Sequence, residues 1–128
     1  MEFNQYNTTV QQWIHTVLEN RETNADVVLE CCRDIIAYGR KTDDSKLMGF
    51  GFFYGGEIYY ELNDGAHFFH MMTEALTYLD RAEEWELVVR CYNFLGIASM
   101  SRGNPSLALD YYTVSYTHLR AHETGRNL

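Results

Sequence analysis

Apolar positions recur along this chain at the helical spacing that gathers them into one stripe. Val10, Trp13, Ile14, Val17 and Leu18 predict a first helix, capped by Thr8 or Thr9 and running to about Asn20. Arg21-Glu22-Thr23-Asn24 interrupts it. Asn24 then caps a second helix, with Asp26 in the first turn where the helix dipole favours an acid. Its stripe is Val27, Val28, Cys31, Cys32, Ile35 and Ile36, ending near Tyr38-Gly39, and residues 40–45 read as a polar connection. A third helix from about Lys46 to Leu62 carries Leu47, Phe50, Phe53, Tyr54 and Tyr59, and Asn63-Asp64-Gly65 is a turn. A fourth, from Ala66 to Tyr78, presents Phe68, Phe69, Met71, Met72, Ala75 and Leu76. Asp80-Arg81 leads to a fifth, starting between Ala82 and Trp85 and carrying Leu87, Val88, Cys91, Leu95 and Ala98. A sixth begins at Pro105.

The stretch from Tyr92 to Tyr112 has the clearest grammar. Gly96 and Ala108 are small enough for two antiparallel helices to cross closely, and Tyr92, Leu95 and Tyr112 fill the space around that crossing. Gly103 suits the left-handed residue that ends a helix, and Asn104-Pro105 supplies an N-cap followed by proline at the first helical position. These offsets resemble the tetratricopeptide repeat, which places an aromatic, Leu-Gly, a turn Gly, Ala and a second aromatic at the same intervals.

A second copy is fainter. Aligning Gly56 with Gly96 puts Phe52 under Tyr92, Asn63 under Gly103 and Met72 under Tyr112, a period of about 40 residues. Ala75 falls where the repeat's second-helix alanine is expected. Phe68 falls under Ala108, so the middle helix pair must be spaced or rotated to admit a phenyl ring. The first pair reads as a degenerate terminal repeat. The expected fold is all-α, a short α-solenoid of about three antiparallel helix pairs.

Composition narrows the classes. The hydrophobic fraction of 46% excludes a disordered chain. Net charge of −8, from 10 basic and 18 acidic residues, argues against nucleic acid or an anionic membrane as partner. No apolar run approaches the ~20 residues of a membrane span. Residues 1–5 lack the basic flank and apolar core of a secretion signal, so a cytoplasmic location is expected. Three cysteines, two of them adjacent, suggest apolar filling rather than a disulfide framework.

The string from Val114 to Thr124 stands apart. It resembles an in-frame translation of a transposon-based sequencing adapter: CTGTCTCTTATACACATCT followed by CCGAGCCCACGAGAC, read from the third base, encodes those eleven residues. The expected organisation is a repeat domain over residues 1–113, itself a fragment, and a non-native tail over 114–128. Leaving out Arg120, Arg126 and Glu123 gives 8 basic and 17 acidic residues, net −9. His118, His122 and Glu123, otherwise half of a metal site, are set aside on this ground.

No catalytic constellation, cofactor motif or metal set emerges from the rest. Gly55-Gly56-Glu57-Ile58-Tyr59 superficially resembles the Gly-Gly-[Asp/Glu]-Glu-Phe loop of diguanylate cyclases, but Ile58 replaces its second acid and the flanks are helical. Packing is the expected role. His67 and His70 share a helix face near Glu74 without a third ligand at suitable spacing. Glu83, Glu84 and Glu86 suit a helix start.

Carried over from the repeat resemblance, the peptide-binding face would hold Phe50, Phe53, Glu57, Tyr60 and Glu61 in the middle repeat, and Arg90, Asn93, Ile97, Met100 and Ser101 in the next. Phe53, Tyr60, Arg90, Asn93, Ile97 and Met100 are the candidate contacts. Gly56, Ala75, Tyr92, Leu95, Gly96, Gly103, Ala108 and Tyr112 are the packing set. The stretch from Lys46 to Glu57, together with Tyr92 to Tyr112, resembles the helical-repeat region that precedes a GGDEF diguanylate cyclase domain in Firmicutes signalling proteins. The resemblance implies a non-catalytic sensor or interaction module that binds a protein, a peptide or a second copy of itself. A peptide-sensing transcriptional regulator and a stand-alone scaffold are the alternatives, although no basic recognition helix precedes Thr8.

Overall fold

A computed structural model describes the backbone of residues 1–126 and the side chains of residues 1–121. Among the described residues there are six helices and no strand. They are α1 (Thr8–Asn20), α2 (Ala25–Thr42), α3 (Ser45–Glu61), α4 (Gly65–Arg81), α5 (Trp85–Ser101) and α6 (Pro105–Arg126). The chain divides into two compact units, Met1–Ala82 and Glu83–Leu128. In the first unit α1 packs on α2, α2 on α3 and α3 on α4. In the second, α5 packs on α6. The all-α expectation holds, and pairing of consecutive helices is that of a short solenoid-like repeat.

Local chemistry sets the helix starts. Asn7, Asn24, Asp44, Asp64 and Asn104 each accept a hydrogen bond from the backbone N–H three residues on. The α1 cap is thus Asn7, not Thr8 or Thr9. Glu84, at the head of α5, makes no such side-chain bond. The helix ends follow a second rule. Asp43, Asn63, Glu83 and Gly103 all take positive φ, between 53° and 76°, immediately before the next N-cap. The backbone N–H groups of Asp44, Asp64 and Asn104 reach back five residues, to the carbonyls of Gly39, Tyr59 and Ser99. The turns at Asp43-Asp44, Asn63-Asp64 and Gly103-Asn104 are therefore copies of one motif, and Glu83-Glu84 shares its left-handed residue.

Two boundaries move as a result. The second helix does not stop at Tyr38-Gly39; it continues to Thr42, with Arg40 and Lys41 in its last turn where the dipole favours them. Gly39 is a contact residue, since a Cβ there would lie 2.8 Å from Met48 Cγ and 3.1 Å from its backbone nitrogen. Asp80 and Arg81, read as a connection, belong to α4.

The core of the first unit is α3. All residues from Leu47 to Ile58 are buried, so this helix has covered faces all round. Its glycines sort by partner. Gly49 and Gly56 face α4, where a Cβ would meet Leu79 at 2.6 Å and Met72 at 3.1 Å. Gly51 faces α2, meeting Ile36 Cγ1 at 2.6 Å and the Cys32 carbonyl oxygen at 3.1 Å. Gly55 meets Met71 Cε and, at 3.8 Å, Cys32 Cβ. Each glycine costs ~0.5–1 kcal/mol of helix propensity. The return is close approach on two sides at once.

The pairing of α5 with α6 repeats that of α3 with α4. Gly96 lies against the Tyr112 ring, with Cε1 at 2.6 Å from an added Cβ, just as Gly56 lies against Met72, each number lower by 40. All three atoms nearest to Gly96 belong to Tyr112, so this glycine accommodates the ring directly; Ala108 is buried nearby in sequence on α6. Leu95 is also buried, and the Tyr92 ring tilts against Tyr111 at 6.5 Å. Ala75 is fully buried in α4. Phe68 is admitted through an aromatic layer, 5.5 Å from the Tyr60 ring and 5.0 Å from Phe69.

The helix α6 runs past Thr113 without a break. Ser115 is buried, and its hydroxyl donates to Asn93 Oδ1 at 3.0 Å. Helix continuation follows from a small residue at that position and from helix-compatible neighbours, whatever the origin of the codons.

Candidate functional site

The peptide-face residues divide by accessibility. Phe53 is 0% exposed, which removes it from any partner surface: it lies in the α3 core, where its ring meets Tyr54 edge-on at 4.9 Å. Phe50 is buried likewise, edge-on to Phe3 at 5.2 Å. Tyr60 is half-buried against Phe68. The burial of Phe50 and Phe53 has one cause, while Tyr60 lies beyond the covered stretch from Leu47 to Ile58. A helix covered on all sides has no free inner face to offer.

The α5 set behaves differently. Asn93, Ile97 and Met100 fall at i, i+4 and i+7, on one stripe of the helix. Ile97 is 43% and Met100 54% exposed, and Asn93 is exposed beside them. Arg90 lies half-buried one turn earlier on the same stripe, and Ser101 is exposed at its end. The opposite face of α5 buries Leu87, Val88, Cys91, Leu95 and Ala98. The stripe is thus apolar at its centre and polar at one end, with Asn93 held by the Ser115 hydroxyl.

A second feature was not foreseen. Glu57 is only 8% exposed, and both its oxygens are taken by Arg21, at the C-cap of α1. Arg21 Nε donates to Oε1 at 2.8 Å and Nη2 to Oε2 at 2.6 Å, a bidentate fork. The guanidinium carbon also stands 5.1 Å from the centre of the Tyr54 ring. Burial works against the Arg21 charge, but the hydrogen bonds and charge of Glu57 outweigh it, and its pKa is raised. Beside the pair lies a cavity of about 510 Å³, between the α1–α2 turn and the end of α3, rimmed by Glu22, Asn24, Glu61 and Leu62. Glu57, read from the sequence as part of a packing motif and of a binding face, is instead one half of an ion pair spanning 36 residues.

A smaller cavity of about 210 Å³ is lined by Leu29, Cys32, Arg33 and Ile36 of α2, with Tyr59 and Met71. Burial pushes the Cys32 thiol well above its ordinary pKa and the Cys91 thiol up to about 12, which favours the neutral thiol at both.

His67 and His70, both exposed, make ring contacts. His67 stacks on Tyr59 at 4.7 Å, and its Nδ1 lies 2.8 Å from Asp64 Oδ2. His70 stands edge-on to Phe52 at 6.4 Å. His118 Nδ1 lies 3.1 Å from the Val114 carbonyl oxygen, while the side chains of His122 and Glu123 lie outside the described residues. Among the described residues no group of three His, Cys, Asp or Glu could hold a metal ion, and no helix is long and apolar enough to cross a membrane. No protein-family model matches the chain, and neither does any curated protein or solved structure with which it was compared.

Proposed function

We propose that residues 1–113 form a non-catalytic interaction and sensor module of the tetratricopeptide-like kind, cytoplasmic, which regulates a signalling domain encoded with it. The carrying observation is the α5 stripe, where Ile97 and Met100 stand exposed beside Asn93 on a helix otherwise committed to packing. An apolar pair next to an amide suits an extended or helical peptide: the side chains supply contact area, and the amide meets a backbone group. The GGDEF diguanylate cyclase reading of the output domain rests on the sequence resemblance alone.

The test has two arms. A displayed library of random peptides is selected against the chain, and the enriched peptides are measured against an Ile97→Asp/Met100→Asp variant. Loss of binding by at least tenfold in a variant with an unchanged helical spectrum supports the stripe. Equal binding, or no enriched peptide, removes it. Separately, the coding sequence that follows residue 113 in the source genome supports the regulatory reading if it encodes a GGDEF domain, and an unrelated hydrolase there ends it.

A further inference from the structure

The α1 helix is the shortest of the six and buries few side chains. It buries three side chains, Val10, Ile14 and Val17, along one stripe, and these have thirteen residues of ordered backbone to offset. By contrast α3 buries twelve residues in succession. At the C-terminal end of α1 the apolar stripe gives out, and the next contact is ionic. Arg21 reaches from the α1 cap to Glu57 near the C-terminal end of α3, across Tyr54. The pair is buried on the Glu57 side yet opens onto the cavity beside it, so charge, rather than apolar area, closes this junction.

We infer that the Arg21–Glu57 pair is a latch on α1. With the fork closed, α1 is docked. With it broken, the Glu57 carboxylate loses its bidentate partner in a nearly buried place, and α1 is left to Val10, Ile14 and Val17, the edge contact of Trp13 with Tyr38 and the Asn7–Tyr38 hydrogen bond. The α1 helix then leaves as a unit, while α2, α3 and α4 keep their mutual packing. Release uncovers the part of α2 that α1 occupies and gives the first unit two discrete states, the element a sensor needs. This device is independent of the α5 stripe, and it stands or falls without any peptide being bound.

Hydrogen–deuterium exchange on the full chain tests it, comparing peptides from residues 8–20 with peptides from residues 65–81. In Glu57→Gln the α1 amides should exchange about tenfold faster or more, with α4 amides unchanged. Arg21→Gln should do the same, and the double variant should be no faster than either single, because one contact is lost in all three. Equal acceleration of α1 and α4 would show that the pair only supports global stability, and would overturn the latch. So would unchanged α1 exchange, or additive effects in the double variant. Should Glu57→Gln fail to fold, Arg21→Lys, which keeps the charge and loses the fork, takes its place: faster α1 exchange alone supports the latch, and equal or unchanged exchange overturns it.

Discussion

Two glycines one helical turn apart on α3 make the packing argument quantitative. Replacing a mid-helix glycine by alanine gains ~0.5–1 kcal/mol from backbone entropy, before any contact is counted. At Gly51 the new methyl would lie 2.6 Å from Ile36 Cγ1 and 3.1 Å from the Cys32 carbonyl oxygen. Ile36 is buried and β-branched, and the carbonyl belongs to the α2 backbone, so neither yields without moving a helix. Overpacking of this kind costs ~1–3 kcal/mol, which exceeds the propensity gain. At Gly55 the methyl meets Met71 Cε, the free end of a flexible thioether, and Cys32 Cβ at an ordinary 3.8 Å. There the propensity gain survives. Gly51→Ala should be destabilised by ~1–2 kcal/mol and Gly55→Ala stabilised by up to ~1 kcal/mol, a gap of ~2 kcal/mol. In urea, followed by circular dichroism at 222 nm, that separates the midpoints by ~1 M. If Gly51→Ala matches or exceeds Gly55→Ala at an unchanged urea slope, the close α2–α3 contact is not where the geometry puts it.

Four other outcomes follow from the same reasoning. The raised thiols of Cys32 and Cys91 favour the folded state most below their unfolded pKa of 9.0, and this contribution falls as pH rises above it. By pH 10 each should have lost ~1 kcal/mol, so urea midpoints should fall more steeply with pH in the parent chain than in Cys32→Ala/Cys91→Ala. A thiol-labelling time course on the folded chain should modify half-buried Cys31 well before the other two. Ala108→Leu forces a larger side chain into a buried position on α6 and should cost ~1–3 kcal/mol, an unchanged melting curve being the contrary result. Asp64→Ala removes the α4 cap on the His67 N–H and should cost ~1 kcal/mol, read from the same unfolding curves.

The α5 stripe was legible in the sequence because its logic is local. Ile97 and Met100, carried over from the repeat resemblance, fall outside the apolar stripe of Leu87, Val88, Cys91, Leu95 and Ala98, and both are exposed. Phe53 stood both in the apolar stripe of the third helix and, through the repeat resemblance, on the peptide face, and its burial fits only the first. The Arg21–Glu57 pair was invisible for another reason. Arg21 reads as part of a helix break and Glu57 as part of a glycine motif, and only the chain's return over 36 residues makes them partners. The sole local hint was an acid in the middle of an apolar helix, where an unpaired charge would be costly.

The turns show where local information ends. Asp43-Asp44, Asn63-Asp64, Glu83-Glu84 and Gly103-Asn104 recur every twenty residues, each a left-handed residue followed by an N-cap. The apolar stripes, with the turn signals at Asn63-Asp64-Gly65 and Gly103-Asn104-Pro105, determined from the sequence alone that the chain is a run of helices joined by short connections. A cap and a turn are satisfied within a few residues of themselves, so their signals survive reading in one dimension. Which side of α3 each glycine serves, and which charge closes the junction with α1, was decided only by the tertiary structure. Such contacts are set by atoms, most of them in side chains, brought to within about 3 Å from distant parts of the chain, and no spacing along one helix encodes the identity of its neighbour.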